Sequence, residues 1–329
     1  MLVLSAQDVR QALPMVEAIT AMKQAYAALS AGRAEMPLRA RLPIHPHDAV
    51  SLFMPAFVQG ETAAALAVKV VSVFPHNVER GLPLIHAAVL VLEADTGRPL
   101  ALLEGSALTA IRTGAGAGAA TDLLARPDSH VAAIFGAGAQ ARTQLEAICA
   151  TRPIERVWVY DPNPQRAALF VAEMAGQGSI PQDVRTAVSP QQAVAPADII
   201  CAATTSLTPV FADADLKPGV HINAVGSYTP EMQEIPAATV ARALVIVDSR
   251  AACLAETGDL RQPIADGLFT ADHIHAEVGE LVLGQRSGRA SGAQITYFKS
   301  VGVAVQDALA AQLALANAQK MGLGQQVAW

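Results

Sequence analysis

A lysine in the middle of an apolar run is the residue of this chain whose setting most calls for chemistry. Lys69 stands in ALAVKVVSVFP, where burying an ammonium is costly unless it is paired or poised to react. Apolar neighbours on both sides argue against an edge-strand lysine facing water. Arg112, in TAIRTGAG, sits in a stretch otherwise made of small and apolar residues, and Arg39 and Arg41 alternate so as to share one face of a strand. Cations in such places can orient a carboxylate, and a lysine can also supply or remove a proton. His86 follows Leu82-Pro83-Leu84-Ile85; a lone histidine is more often a structural hydrogen-bonding group than a catalyst. The pairs His45/His47 and His273/His275 lack a carboxylate set, so no metal is expected.

A second group of residues has the spacing of a nucleotide site. Val131 to Phe135 is a short apolar run suited to a strand buried on both faces of a parallel sheet. It ends at Gly136-Ala137-Gly138-Ala139-Gln140-Ala141. In such a turn Gly136 permits the tight bend, Gly138 keeps side chains away from a pyrophosphate, and Ala141 lets the next helix lie close to the sheet. That helix, from about Ala139 to Cys149, points its N-terminal N–H groups at the phosphates. Strand Arg156–Tyr160 follows and leads into Asp161, about 20 residues past the motif, where an acid accepts from the ribose hydroxyls. Strand, glycines, helix, strand and acid in this order predict a dinucleotide-binding βαβ unit. Pro162-Asn163-Pro164 follow Asp161, with no arginine directly after the strand for a 2′-phosphate; Arg166 lies about one turn into the next helix. NAD(H) is therefore the expected cofactor, with NADP(H) as the alternative.

The elements that must position these residues fall into two regions. Ser5 with Asp8 caps a short first helix. A second runs from Met15 to Ser30, with Val16, Ile19, Met22, Tyr26 and Leu29 on one face. From Leu38 to Gly105 the period changes to two, giving strands at Leu38–Ile44, Val50–Pro55, Ala64–Val73, Ala87–Glu93 and Pro99–Glu104. This is an antiparallel, mixed α+β region. An Ala/Gly-rich helix, Ala107–Ala125, leads into the nucleotide unit. Beyond it, strands Asp198–Ala203, His221–Val225, Leu244–Asp248 and Gln294–Lys299 alternate with helices such as Pro164–Met174 and Glu277–Leu283. The fold class is α/β, a doubly wound Rossmann-type parallel sheet plus an α+β substrate and dimerisation domain. The expected division is 1–118 with 303–329 for the α+β domain and 119–302 for the nucleotide domain. A long helix, Ser300–Met321, packs back onto the first region by ordinary core patterning.

Bulk properties agree with that division. The 329 residues suit two domains, and 52% hydrophobic against 16% charged residues leaves ample core material. A net charge of −6 and sparse aromatics exclude the basic footprint and stacking platforms of nucleic-acid binders. Cys149, Cys201 and Cys253 form no CxxC pair and read as buried hydrophobes in a reduced compartment. No basic region precedes an apolar core at the N-terminus, and no apolar stretch is long enough for a membrane span, so a cytoplasmic location is expected.

Taken together, these residues resemble the ornithine cyclodeaminase and mu-crystallin family over nearly the whole chain. The resemblance rests on MPLR (Met36–Arg39), the Lys69 strand, GLPLIHAAVLVLEADTG (Gly81–Gly97), LTAIRTGAG (Leu108–Gly116), IFGAGAQA (Ile134–Ala141), HINAVGS (His221–Ser227), ETGD (Glu256–Asp259) and FKSVG (Phe298–Gly302). It implies a homodimer built through the first domain and an active site in the cleft between domains. It also implies that Arg39, Lys69 and Arg112 hold a substrate carboxylate, with Lys69 as the catalytic proton donor or relay beside an imine. His86, Arg112, Thr113, Ala139, Gln140, Asp161, Thr204 and Val225 would line the cofactor with the glycines, Lys299-Ser300 nearby, and Glu256 would lie at the outer part of the pocket. True cyclodeaminases carry an aspartate two residues after the glycine of NAVG, where it handles the ornithine amine; here Tyr228 holds that place, and a tyrosine is a poor base near neutral pH. The GSYTP string is more like members that reduce cyclic ketimines, Δ1-pyrroline-2-carboxylate to proline and Δ1-piperideine-2-carboxylate to pipecolate. An alanine or other amino-acid dehydrogenase, an ornithine cyclodeaminase and a mu-crystallin-like binding protein are the alternatives.

Overall fold

The computed structural model describes residues 1–60 and 64–328, and the chain divides into two compact units, Met1–Arg112 with Val303–Trp329, and Thr113–Gly302. Strand β1 (Leu2–Leu4) precedes helix α1 (Ala6–Ala12), whose start is fixed by a reciprocal capping box between Ser5 and Asp8. Helix α2 (Met15–Ser30) follows Pro14. Ile19, Met22 and Tyr26 are buried, but Val16 is 65% exposed. At about 100° per residue Ile19, Met22 and Tyr26 fall within about 40° of Met15, whereas Val16 lies about 100° from it.

Strands β2 (Ala34–Glu35), β3 (Ala40–Ile44), β4 (Ala49–Val58), β5 (Ala65–Val73), β6 (Ile85–Leu92) and β7 (Pro99–Glu104) follow. Strand β3 begins at Ala40, so Arg39 precedes it and does not share a strand face with Arg41. β4 through β7 pair antiparallel in succession, which sets Met54 and Val89 on either side of Lys69. β1 adds to β7 in parallel, making the sheet mixed. Alternation along β5 buries Ala65, Ala67, Lys69 and Val71 on one face.

Helix α3 (Gly105–Leu124) leads to β8 (Val131–Phe135), α4 (Ala139–Thr151), β9 (Arg156–Tyr160), α5 (Pro164–Met174), β10 (Val184–Thr186), α6 (Pro190–Val194), β11 (Ile199–Ala202) and β12 (His221–Ala224). Next come α7 (Ala237–Arg242), β13 (Leu244–Val247), α8 (Arg250–Glu256), α9 (Gly258–Ala265), β14 (Ile274–Glu277), α10 (Val278–Val282) and β15 (Thr296–Lys299). Among the described residues these strands form one sheet in the order β10-β9-β8-β11-β12-β15-β13-β14, every pair parallel. The order reverses beside β8, which is the switch point of a doubly wound sheet. Apolar clusters cover both faces, one holding Ile134, Leu145 and Phe170, the other Phe135, Ile222 and Tyr297.

The returning helix α11 (Ala304–Met321) starts at Ala304, not Ser300. Asp248 accepts from Ser300 Oγ and from the N–H groups of Val301 and Gly302, holding these residues as a turn. Within its unit, α11 is tied to α2 by Gln306 Nε2 donating to Tyr26 OH, and to α1 by Asn317 donating to Ala12 O. A final strand, β16 (Gln325–Gln326), pairs with β1. Among the described residues no helix is long and apolar enough to cross a membrane, and no group of three or more metal-ligating side chains occurs.

Candidate functional site

In the first unit, the alternation of β5 that drives its apolar residues inward carries Lys69 with them, leaving it 1% exposed. Its Nζ lies 2.7 Å from Asp307 Oδ2, in the first turn of α11, and Arg112 Nε lies 3.0 Å from Asp307 Oδ1. Arg112 Nη1 also donates to Gln306 Oε1 at 3.0 Å. The ion pairs are close but poorly angled: among the described residues neither Asp307 oxygen, nor Arg112 Nε, has an aligned hydrogen-bond partner. Burial, then the charge of Arg112, bring the Lys69 pKa from 10.5 down to about 7, against the pull of Asp307; Arg39 adds to the lowering. Two buried cations therefore share one carboxylate, a charge balance that an incoming anion would complete. Lys69 and Arg112 are brought together on Asp307. Asp307 and Gln306 were not anticipated, because an acid in AVQDALAAQLALA reads as one polar position of a core helix; its isolation among apolar residues, like that of Lys69, was the available signal.

In the second unit, Gly136 takes φ 90, and a Cβ there would approach Ala203 O to 2.7 Å, so a side chain is excluded twice over. A Cβ at Gly138 would meet nothing within 4 Å, so the chain's own packing does not require that glycine. Gly138 is also the N-cap of α4 and offers no capping side chain, leaving the N–H groups at the helix start to a ligand. Asp161 is buried: Oδ2 accepts from Ala137 N at 2.9 Å and Oδ1 from Asn163 N at 2.9 Å. The acid assigned to the ribose thus also ties the end of β9 to the glycine turn, each oxygen retaining a further lone pair. Arg142, which the sequence did not single out, donates to the carbonyls of Ala137 and Gly138 and pairs with Glu173. Ala139 is exposed and Gln140 half-buried in the first turn of α4.

The loops after β11 and β12 carry Thr204 and Val225, both half-buried. Glu234 joins them: Oε1 accepts from Thr204 N at 2.6 Å, and Oε2 from Gly226 N at 2.6 Å and Ser227 N at 2.9 Å. Asp259 in turn accepts from Glu234 N and Ile235 N. Lys299 is fully buried, and its ammonium donates to Asp259 Oδ2 at 2.9 Å. Ser300 is likewise buried against Asp248. Thr113 is buried in α3 and accepts from Gln144 through its carbonyl. His86 is exposed on β6 opposite Ser72. Tyr228 is 36% exposed, and Glu256 is half-buried at the end of α8. The three cysteines are free and buried, which pushes Cys149 and Cys201 up to about 12.

Sheet order, glycine turn and buried cations define a class that the sequence confirms. Residues 1–322 match the ornithine cyclodeaminase/mu-crystallin family, and the chain belongs to it, a family of nicotinamide-dependent oxidoreductases acting on imine or amino bonds. Within it, the chain is 42% identical over 328 residues to a Delta(1)-pyrroline-2-carboxylate reductase of Bacillus cereus, covering 99% of each. It is also similar to the structure of Thermococcus litoralis Delta(1)-pyrroline-2-carboxylate reductase in complex with NADH and L-proline, with a TM-score of 0.94 and 42% identity over 99% of this chain and 100% of that one. An archaeal alanine dehydrogenase dimer with bound NAD matches at a TM-score of 0.91 and 30% identity, over 100% of this chain and 99% of that one.

Proposed function

We propose that the protein reduces small cyclic 2-imino acids with NADH, taking Δ1-pyrroline-2-carboxylate to L-proline and Δ1-piperideine-2-carboxylate to L-pipecolate. The observation that carries this reading is the excess of buried positive charge where Lys69 and Arg112 share Asp307. A substrate carboxylate balances that charge, with Arg39 as the third cation of the clamp. Lys69, brought to about 7, holds a transferable proton near neutral pH and delivers it to the imine nitrogen. A bound nicotinamide supplies the hydride to the imine carbon. Gly136, Gly138, Ala139, Gln140 and Asp161 are the residues for its phosphates and adenosine half; Thr204, Val225, Thr113, Arg112 and His86 are those for the remainder. Tyr228 and Glu256 face the outer part of the substrate. An imine substrate needs no base to deprotonate a side-chain amine, which suits Tyr228 in place of an aspartate. The bound NADH and L-proline of the Thermococcus litoralis relative support the same reading. The working form is a homodimer in the cytoplasm.

Loss of NADH absorbance on adding Δ1-pyrroline-2-carboxylate tests the proposal. Turnover with pyruvate and ammonia but not with the cyclic imine would move the assignment to an amino-acid dehydrogenase. Ammonia and proline formed from ornithine and NAD would move it to a cyclodeaminase, and binding without turnover to a mu-crystallin-like role.

A further inference from the structure

The loops after β11 and β12 leave the sheet on the far side of the switch point from β9 and Asp161. In a doubly wound sheet that side receives the half of a dinucleotide beyond the pyrophosphate, here the nicotinamide half. Both loops are held by one side chain that the proposed chemistry does not use. Glu234 lies wholly buried, one oxygen on Thr204 N and the other on Gly226 N and Ser227 N. Its own N–H donates to Asp259, which also holds Lys299. The loop between them is tied again on its other side: Ser227 Oγ donates to Met232 O, Gly258 N donates to Thr229 O, and Gln262 donates to Pro230 O. A Cβ on Gly226 would run into Thr204 O and Glu234 Oε1, so the spacing of the two loops leaves room for glycine alone.

We propose that Glu234 is a positioning residue for the nicotinamide half of the cofactor. It fixes the loop carrying Thr204 against the loop carrying Val225 and Tyr228, with the ETGD segment and Lys299 as its buried support. This rests on the nicotinamide-dependent reading above, and it assigns the FKSVG lysine and the ETGD aspartate to the support of two loops and not to contact with the ligand.

The test compares NADH with ADP-ribose, which has the adenosine and pyrophosphate but no nicotinamide. Glu234→Gln keeps the shape and turns one acceptor into a donor facing a backbone N–H. Its dissociation constant for NADH should rise roughly tenfold, the effect of one buried hydrogen bond to a charged group, while that for ADP-ribose stays within about twofold. Equal weakening of both ligands would mark a general structural role and overturn the proposal, as would no weakening of either. Amide exchange on the wild-type enzyme is a second readout that needs no variant: Thr204, Gly226 and Ser227 should be protected without ligand as strongly as amides within β11 and β12, and fast exchange there overturns it. Wild-type enzyme that binds NADH but leaves the imine unreduced would sink the proposed substrate and leave this comparison intact.

Discussion

Each unit buries a lysine against an aspartate, and the two pairs serve opposite ends. Lys69 meets Asp307 on a carboxylate it shares with Arg112, at short distance but poor angle, so cations outnumber anions. Lys299 meets Asp259 in an aligned hydrogen bond, and the second oxygen of Asp259 takes two backbone N–H groups. There Glu234 adds a second acid, its pKa raised by burial, and its two oxygens accept from three backbone N–H groups. Under the proposed function a substrate carboxylate completes the first cluster; the second is complete without a ligand. Burial alone does not make a lysine chemical. What distinguishes Lys69 is that its counter-charge is divided.

The sharpest way to break this contrast is to remove one partner from each cluster. Asp259→Asn leaves the Lys299 ammonium buried without its partner and should lower stability by about 3–5 kcal/mol, the range for breaking a buried pair. A loss below about 1 kcal/mol in denaturant unfolding, the size of an exposed pair, would remove the distinction. Lys69→Ala should instead lower imine turnover by roughly 10²-fold or more, with the folded state retained, since it relieves an excess of buried cations. Near-normal steady-state turnover in that variant would show that the proton comes from elsewhere.

Cofactor choice sharpens the account of the second unit. Asp161 is fixed beneath the glycine turn and Pro162 follows it, so a 2′-phosphate would meet like charge without a partner. NADH should be favoured over NADPH by roughly tenfold to a hundredfold in kcat/KM, equivalent to about 1–3 kcal/mol. A clear NADPH preference would mean that Arg166, exposed on α5, reads the phosphate. A smaller effect concerns pH. The unfolded chain keeps the Lys69 proton up to 10.5 and the folded one only to about 7. Folding therefore releases a proton between these values, and this group's contribution to stability grows as pH rises across that window. The same titration should make kcat/KM for imine reduction fall roughly tenfold per pH unit above about 7 as the donor is lost; a flat profile would remove Lys69 as donor.

Much of this could be read from residue order. The glycine turn, Asp161 and the strands Arg156–Tyr160 and Pro99–Glu104 were legible because local sterics and strand patterning dictate them. Strands β1, β10 and β14 were not, since three or four residues show no period and pair only through their neighbours. Lys69 and Arg112 were legible as charges out of place. Asp307 and Glu234 were not, because each gains its meaning from partners outside its own element: Asp307 from a strand and helix of the first region, Glu234 from the turns after two strands, that of Thr204 lying 30 residues back. The Lys299 contact with Asp259, forty residues back along the chain, was not legible for the same reason.

The central claim is that the cations of the first unit recognise a carboxylate beside the reacting C=N bond. The direct measurement is kcat/KM with NADH for Δ1-pyrroline-2-carboxylate against Δ1-pyrroline, the same ring without the carboxylate. The account predicts a loss of at least about 10²-fold for the decarboxylated ring, as expected when buried cations are left unpaired. Comparable reduction of the two imines would contradict it.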